Sequence, residues 1–168
     1  MENLKELVNS LRQMPDEKGW VEFKHNNYTP KMIGEYISAL ANAAALADRS
    51  FAYMVWGVDD KTHEIVGTDK NLQSLRQGGE ELENWLRHQL SKNADFAFQL
   101  VDMENVKGES VKVGVLTIYP AVIMPVMFEK VDYIRIGNYT KKLVDYPTMQ
   151  SRLWDKLHGT NFESNICE

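Results

Sequence analysis

An uncharged, largely apolar run of nine residues constrains the fold of this chain more than any other feature. Residues 50–58 read Ser-Phe-Ala-Tyr-Met-Val-Trp-Gly-Val and are rich in aromatic and β-branched side chains. Such a run favours a central strand that is buried on both faces of its sheet. Asp59 and Asp60 follow directly, so the chain must reach water at this point. The sheet that holds this strand therefore needs apolar cover on both sides.

Amphipathic helices and further strands are predicted around this run. Apolar residues recur at helical spacing in four stretches, at 4–11, 32–44, 82–90 and 148–157. Strand patterns occupy 20–24, 64–67, 96–103, 111–119 and 133–136. Strands that alternate with helices, followed by several strands together, predict an α/β or α+β domain with a mixed sheet flanked by helices. A chain of 168 residues fits one domain, expected over 1–159, with 160–168 as a tail or the start of a linker to a further domain.

Composition narrows the classes of function. The chain has 19 Lys and Arg against 24 Asp and Glu, a net charge of −5, which excludes a uniformly basic nucleic-acid binder but leaves room for a local basic patch. Cys167 is the single cysteine, so an internal disulfide and a cysteine-based zinc site are excluded. We expect a cytoplasmic protein without a membrane span, and no ATP site, because the sequence has no phosphate-binding glycine motif.

Carboxylates concentrate near the predicted strand at 20–24 and after the apolar run. Glu17 and Glu22 precede Lys24, and Asp60 ends the Gly-Val-Asp-Asp block. If the strand of Glu22 pairs beside the apolar run, these three carboxylates converge, and their mutual repulsion requires a compensating cation. One hypothesis is therefore a Mg²⁺ or Mn²⁺ site in which Lys24 holds a scissile phosphate. The alternative is a solvated strand face and an ordinary turn.

A second cluster combines tyrosine with basic residues. Residues 130–142 hold four positive side chains and one negative, a net charge of +3 in an acidic chain. A Gly-Asn pair at 137–138 predicts a tight hairpin turn, so the segment is a hairpin-like basic finger. Arg135, Lys141 and Lys142 are predicted to contact phosphates, and Tyr139 to stack on a base. The alternative is a solvated edge strand protected by lysine.

Four blocks in this order and spacing resemble the Schlafen AlbA-type domain family over about residues 15–157. They are Glu17 with Glu-Phe-Lys at 22–24, Ala-Leu-Ala-Asn at 39–42, Gly-Val-Asp-Asp at 57–60 with Ile-Val-Gly-Thr at 65–68, and Tyr-Ile-Arg-Ile-Gly-Asn-Tyr-Thr at 133–140. The resemblance implies an AlbA-like, cytoplasmic, nucleic-acid-binding domain, often fused to regulatory modules. Relatives carry a Gly-Gly pair before the central strand, whereas this chain has Ala-rich sequence at 43–50, so we expect a different turn there, built by extending the helix.

Three functions follow from these observations. The first is a DNA- or RNA-binding domain of a bacterial transcriptional regulator. In it, phosphates are contacted by Lys24, Arg135, Lys141 and Lys142, and a base stacks on Tyr139. The second is a divalent-metal-dependent endoribonuclease, because in Schlafen proteins three acidic residues perform RNA cleavage. By resemblance these acids are Glu17, Glu22 and Asp60, as catalytic residues and metal ligands, beside Lys24. The third is a scaffold domain that forms a homodimer or docks to the rest of a regulator.

Overall fold

The computed structural model describes residues 3–13 and 19–166, with side chains up to residue 159. Four helices lie within these residues, α1 (Leu4–Arg12), α2 (Pro30–Leu46), α3 (Leu82–Gln89) and α4 (Pro147–Ile166). The strands there are β1 (Val21–Lys24), β2 (Ala52–Trp56), β3 (Arg76–Gln77), β4 (Glu80–Glu81), β5 (Phe96–Glu104), β6 (Ser110–Ile118), β7 (Met127–Phe128), β8 (Val131–Ile136) and β9 (Tyr139–Lys142). None of these helices combines the length and apolar content that crossing a bilayer requires.

The central sheet has the order β1-β2-β6-β5. β1 runs parallel to β2, while β6 is antiparallel to both β2 and β5. This mixed sheet with its helices is an α+β fold, which confirms the predicted fold class. Every residue of β2 is buried, so the apolar run is the central strand that the sequence predicted.

Each face of the sheet carries its own core. Met54 and Trp56 point to the face covered by α2, where they pack in the larger core. Tyr53 and Val55 point to the opposite face and pack with Val8 of α1 in a smaller core. Because successive side chains of a strand point to opposite faces of the sheet, the apolar run contributes to both cores.

The turn between α2 and β2 contains no glycine and is built by extending the helix, as the sequence predicted. α2 continues through Leu46, and Asp48 adopts a positive φ of 55° in the turn that follows. The end of the helix and one residue in the left-handed region therefore form this turn. Residues 64–67 form only a bridge, between Val58 and Ile65, rather than a strand.

The last helix is longer than predicted. α4 runs through Ile166, so the predicted end near Gly159 was wrong. A glycine inside a helix costs about 1 kcal/mol relative to alanine, which weakens the helix at that point without ending it.

Candidate functional site

The parallel pairing of β1 and β2 builds the centre of the candidate site. Glu22 lies opposite Met54 and Lys24 opposite Trp56, which confirms that the strand of Glu22 lies beside the apolar run. Paired residues of neighbouring strands point to the same face, so Glu22 and Lys24 face α2. Val21 and Phe23 face the smaller core instead.

Glu22 is buried between two cations. Its Oε1 lies 2.8 Å from Nη2 of Arg135 on β8, and its Oε2 lies 3.4 Å from Nζ of Lys24. The Tyr36 ring of α2 covers both cations, with its centroid 5.1 Å from Lys24 Nζ and 5.3 Å from Arg135 Cζ. We call these four side chains the Glu22 cluster. Burial lowers the pKa of Lys24, but the charge of Glu22 and the Tyr36 phenol outweigh it, so this pKa lies above its ordinary value.

The loop that carries Asp60 folds toward the opposite face of the sheet. Asp60 is exposed, and its neighbour Asp59 accepts hydrogen bonds at 2.8 Å from the backbone N–H groups of Lys61 and Thr62. These bonds hold the pKa of the Asp59 carboxyl below its ordinary value, and the bond from Thr62 has the largest effect. At the end of the same loop the His63 ring packs on Phe23, with 4.6 Å between the ring centroids.

The structure describes two of the three predicted metal ligands, Glu22 and Asp60. Glu17 lies outside the described residues, and within them no three His, Cys, Asp or Glu side chains form a group able to hold a metal ion. Among the described residues, no further His, Cys, Asp or Glu side chain completes such a group with Glu22 and Asp60. The three-carboxylate site and the catalytic roles of Glu17, Glu22, Asp60 and Lys24 stay predictions.

The basic finger, residues 130–142, is the predicted hairpin. β8 and β9 pair antiparallel from Tyr133–Lys142 to Ile136–Tyr139, and Gly137 takes a positive φ of 62° in the turn. Tyr139 is 66% exposed, and Lys141 and Lys142 are exposed on the same strand. The Lys141 ammonium lies 5.7 Å from the centre of the Tyr139 ring. The hairpin thus presents an aromatic ring and two cations to solvent, and Lys141 lies next to the ring.

Arg135 differs from the other basic side chains of the finger. Its side chain is fully buried and faces Glu22, while Nη1 donates to Thr140 Oγ1 at 3.4 Å. The predicted contact of Arg135 with phosphate would require this ion pair to open. In the structure Arg135 instead joins the finger to β1.

Two buried polar residues of α2 hold the finger in place, and the sequence reasoning did not single them out as functional. Asn42 Nδ2 donates to Tyr133 O at 2.8 Å, and Asn42 Oδ1 accepts from Val126 N at 2.8 Å. Ser38 Oγ accepts from Tyr133 N at 3.0 Å and donates to Val126 O at 2.7 Å. The available signal was a pair of polar residues, one turn apart, on an otherwise apolar helix face. Asn42 belongs to the Ala-Leu-Ala-Asn block.

Comparison with known proteins places this arrangement in a family. The chain is similar to the crystal structure of the DIP2311 protein from Corynebacterium diphtheriae, with 16% sequence identity and a TM-score of 0.42. That match covers 84% of this chain but only 27% of the solved chain. No curated protein matches. The family model described as Schlafen, AlbA_2 matches residues 17–144, which include β1, α2, the central strand and the basic finger. Because this match covers most of the sequence, the chain belongs to the Schlafen AlbA_2 family.

Proposed function

We propose that this domain binds nucleic acid through its basic finger. The observation that carries the proposal is the exposed group of Tyr139, Lys141 and Lys142 on one hairpin of a protein whose net charge is −5. Cations contact phosphates, and a neighbouring aromatic ring stacks on a base, so the hairpin offers both kinds of contact. Membership of the Schlafen AlbA_2 family supports the same function.

The basic side chains of the finger have two roles: the exposed ones are available to bind phosphates, and the buried one stabilises the fold. Arg135 is neutralised by Glu22 inside the protein, so the exposed cations are Lys130, Lys141 and Lys142. Lys24 keeps 23% of its side chain exposed at the margin of the Glu22 cluster and adds a further positive group. A local patch of this kind attracts phosphates although the whole molecule is acidic, because salt screens distant charges.

The Glu22 cluster favours binding over metal-dependent cleavage. Arg135 and Lys24 already compensate the carboxylate of Glu22, so its burial does not require a divalent cation. We therefore infer a binding module, in the setting of a bacterial transcriptional regulator as the family resemblance implies.

The dependence of binding on salt tests the proposal. Each phosphate contact that is lost should reduce the log–log salt slope by ~0.7 for a single strand or ~0.9 for a duplex. The double variant Lys141→Ala/Lys142→Ala should therefore reduce the slope for a single strand by about 1.4 and weaken binding. The measurement is fluorescence anisotropy of a labelled oligonucleotide at several salt concentrations.

Lys107→Ala is the matched control, because Lys107 is an exposed lysine in the connection between β5 and β6, away from the finger. It should leave both affinity and slope near those of the wild type. If the double variant matches the wild type in affinity and slope, the finger does not bind nucleic acid.

A further inference from the structure

One end of the central sheet carries a group of aromatic side chains and an arginine. Trp20 directly precedes β1, Phe51 directly precedes β2, and Tyr119 directly follows β6. Because β1 and β2 are parallel and β6 runs opposite to them, these three positions meet at the same end of the sheet. Arg49 lies two residues before Phe51. We call these four residues the aromatic end.

The guanidinium of Arg49 lies over an indole ring, and the residue is exposed to solvent. Its Cζ lies 3.7 Å from the centre of the Trp20 ring, and its backbone N–H donates to Ala44 O at 2.9 Å. Arg49 is exposed, and it forms no salt bridge with another described residue. The guanidinium is therefore positioned by the indole, while its exposed part and its charge are open to a ligand.

Tyr119 supplies a second planar surface. Tyr119 is 42% exposed, and its ring lies edge-on to Phe51 with 5.2 Å between the ring centroids. Phe51 and Trp20 each contact the Tyr53 ring, both at 6.4 Å between centroids. The two exposed planes, Arg49 and Tyr119, thus rest on one connected set of rings.

The aromatic end adjoins the basic finger. A Cβ atom placed on Gly19 would lie 3.8 Å from Cβ of Arg135, so the residue before Trp20 contacts the finger strand β8. Trp20 is also two residues from Glu22, the partner of Arg135. Trp20 lies one residue from this contact, and Arg49 lies over its ring, while Phe51 and Tyr119 continue the aromatic end toward the face that carries Tyr53.

From this arrangement we infer that Arg49 and Tyr119 form a second contact site, which stacks on the unpaired bases of a single-stranded nucleic acid. The inference rests on the proposed function and specifies its substrate class. Guanidinium planes and tyrosine rings stack on splayed bases, whereas the bases of a duplex already cover one another's faces. The positive charge of Arg49 suits the phosphates between such bases.

Paired probes separate base stacking from phosphate attraction. The first is an oligothymidylate of about 20 nucleotides, and the second is an abasic strand of the same length, with the same number of phosphates. The wild type should bind the first more tightly. Arg49→Ala and Tyr119→Ala should each weaken oligothymidylate binding by about 5- to 100-fold and change abasic binding much less.

Two further sets of variants serve as controls. Arg49→Lys keeps the positive charge but removes the guanidinium plane, so it should lose part of the preference for bases and keep the salt slope. Lys107→Ala and Val106→Ala alter an exposed cation and an exposed apolar residue at the opposite end of the β5–β6 hairpin. They should leave binding to both probes unchanged, and circular dichroism should show every variant folded.

The outcomes distinguish this inference from the proposed function. If Lys141→Ala/Lys142→Ala weakens binding to both probes, while Arg49→Ala and Tyr119→Ala retain the wild-type preference for bases, the second site is refuted and the finger still binds. If the finger variant has no effect, the proposed function fails. If the wild type binds both probes equally, the stacking role of the aromatic end is excluded.

Discussion

Glu22 shows how a single buried charge can join separate parts of a protein. The sequence allowed two environments for this residue, a solvated strand face or a metal site. The structure adds a third, a carboxylate enclosed by Arg135 and Lys24 and covered by Tyr36. Separating a buried ion pair is strongly destabilising, so the contact between Glu22 and Arg135 stabilises both segments that carry it. Glu22 therefore fixes the position of β8 relative to β1.

Replacing Glu22 should expose this dependence. Glu22→Gln leaves Arg135 buried opposite a neutral amide, and we expect a loss of about 3–5 kcal/mol in the free energy of unfolding, measured in urea. Glu104→Gln, an exposed position on β5, should change it by less than about 0.5 kcal/mol. The double variant Glu22→Gln/Arg135→Met should recover part of the loss. A stable Glu22→Gln protein would contradict the structural role.

Tyr28 gives a prediction for alkaline pH. Burial raises the pKa of its phenol to about 12, although the hydrogen bond with Thr68 Oγ1, 3.0 Å long, acts in the opposite direction. The folded state thus favours the neutral phenol. The resulting stabilisation is complete below the ordinary pKa of 10.0 and is lost as the pH rises through about 12.

The absorbance of the phenolate measures the pKa of Tyr28 directly. The difference between the titrations of the wild type and Tyr28→Phe should be centred near pH 12 in the folded protein. In urea the same difference should move to about pH 10. A difference centred near pH 10 in the folded protein would show that the phenol is not buried.

At the scale of elements, α2 is the helix on which the site is assembled. It covers the central sheet with apolar side chains and contacts β8 through Ser38 and Asn42. Gly34 permits the close approach of β7, because a Cβ there would lie 2.1 Å from the Phe128 ring. The helix thus sets the distance between the sheet and the basic finger.

Asn42→Ala tests this role of α2. The substitution removes the bonds to Tyr133 and Val126 and leaves buried backbone groups without partners, at a cost of about 2–4 kcal/mol in the free energy of unfolding. Amide exchange should accelerate at Val126, whose N–H loses its acceptor, more than at Met54 in the central sheet. Equal acceleration at both amides would show that the loss of Asn42 has no local effect on this contact.

At the scale of the whole molecule, charge is distributed unevenly. The finger is basic although the chain carries −5, and the sheet separates it from the far edge at β5. Three strand spacings, about 14 Å, lie between β1 and β5. This exceeds the screening length of ~8 Å at physiological salt, so the finger acts electrostatically on its own.

Charge reversal at two sites tests this independence. Lys141→Glu should lower oligonucleotide affinity at 0.15 M salt by about 10-fold or more, and Lys107→Glu by less than about 2-fold. At about 0.01 M salt the screening length grows to ~30 Å, so the effect of Lys107→Glu should increase. Equal effects of the two reversals at 0.15 M salt would mean that binding follows net charge rather than the finger.

The sequence alone determined the main helices, the longer strands and the order of the main blocks. The apolar run, the helix after Pro30 and the Gly-Asn hairpin were predictable because strand and helix periods and turn chemistry are local properties of neighbouring residues. The sequence left open whether the strand of Glu22 lies beside the apolar run, and in the structure β1 pairs with β2 in parallel.

Only the tertiary structure decided which charges are paired and which are exposed. Arg135 and Lys141 look alike in sequence, yet one is buried on Glu22 and the other faces water. The meeting of Trp20, Arg49 and Tyr119 likewise depends on how three strands are arranged in one sheet. Burial and ion pairing arise from contacts between distant segments, and a one-dimensional pattern does not carry those distances.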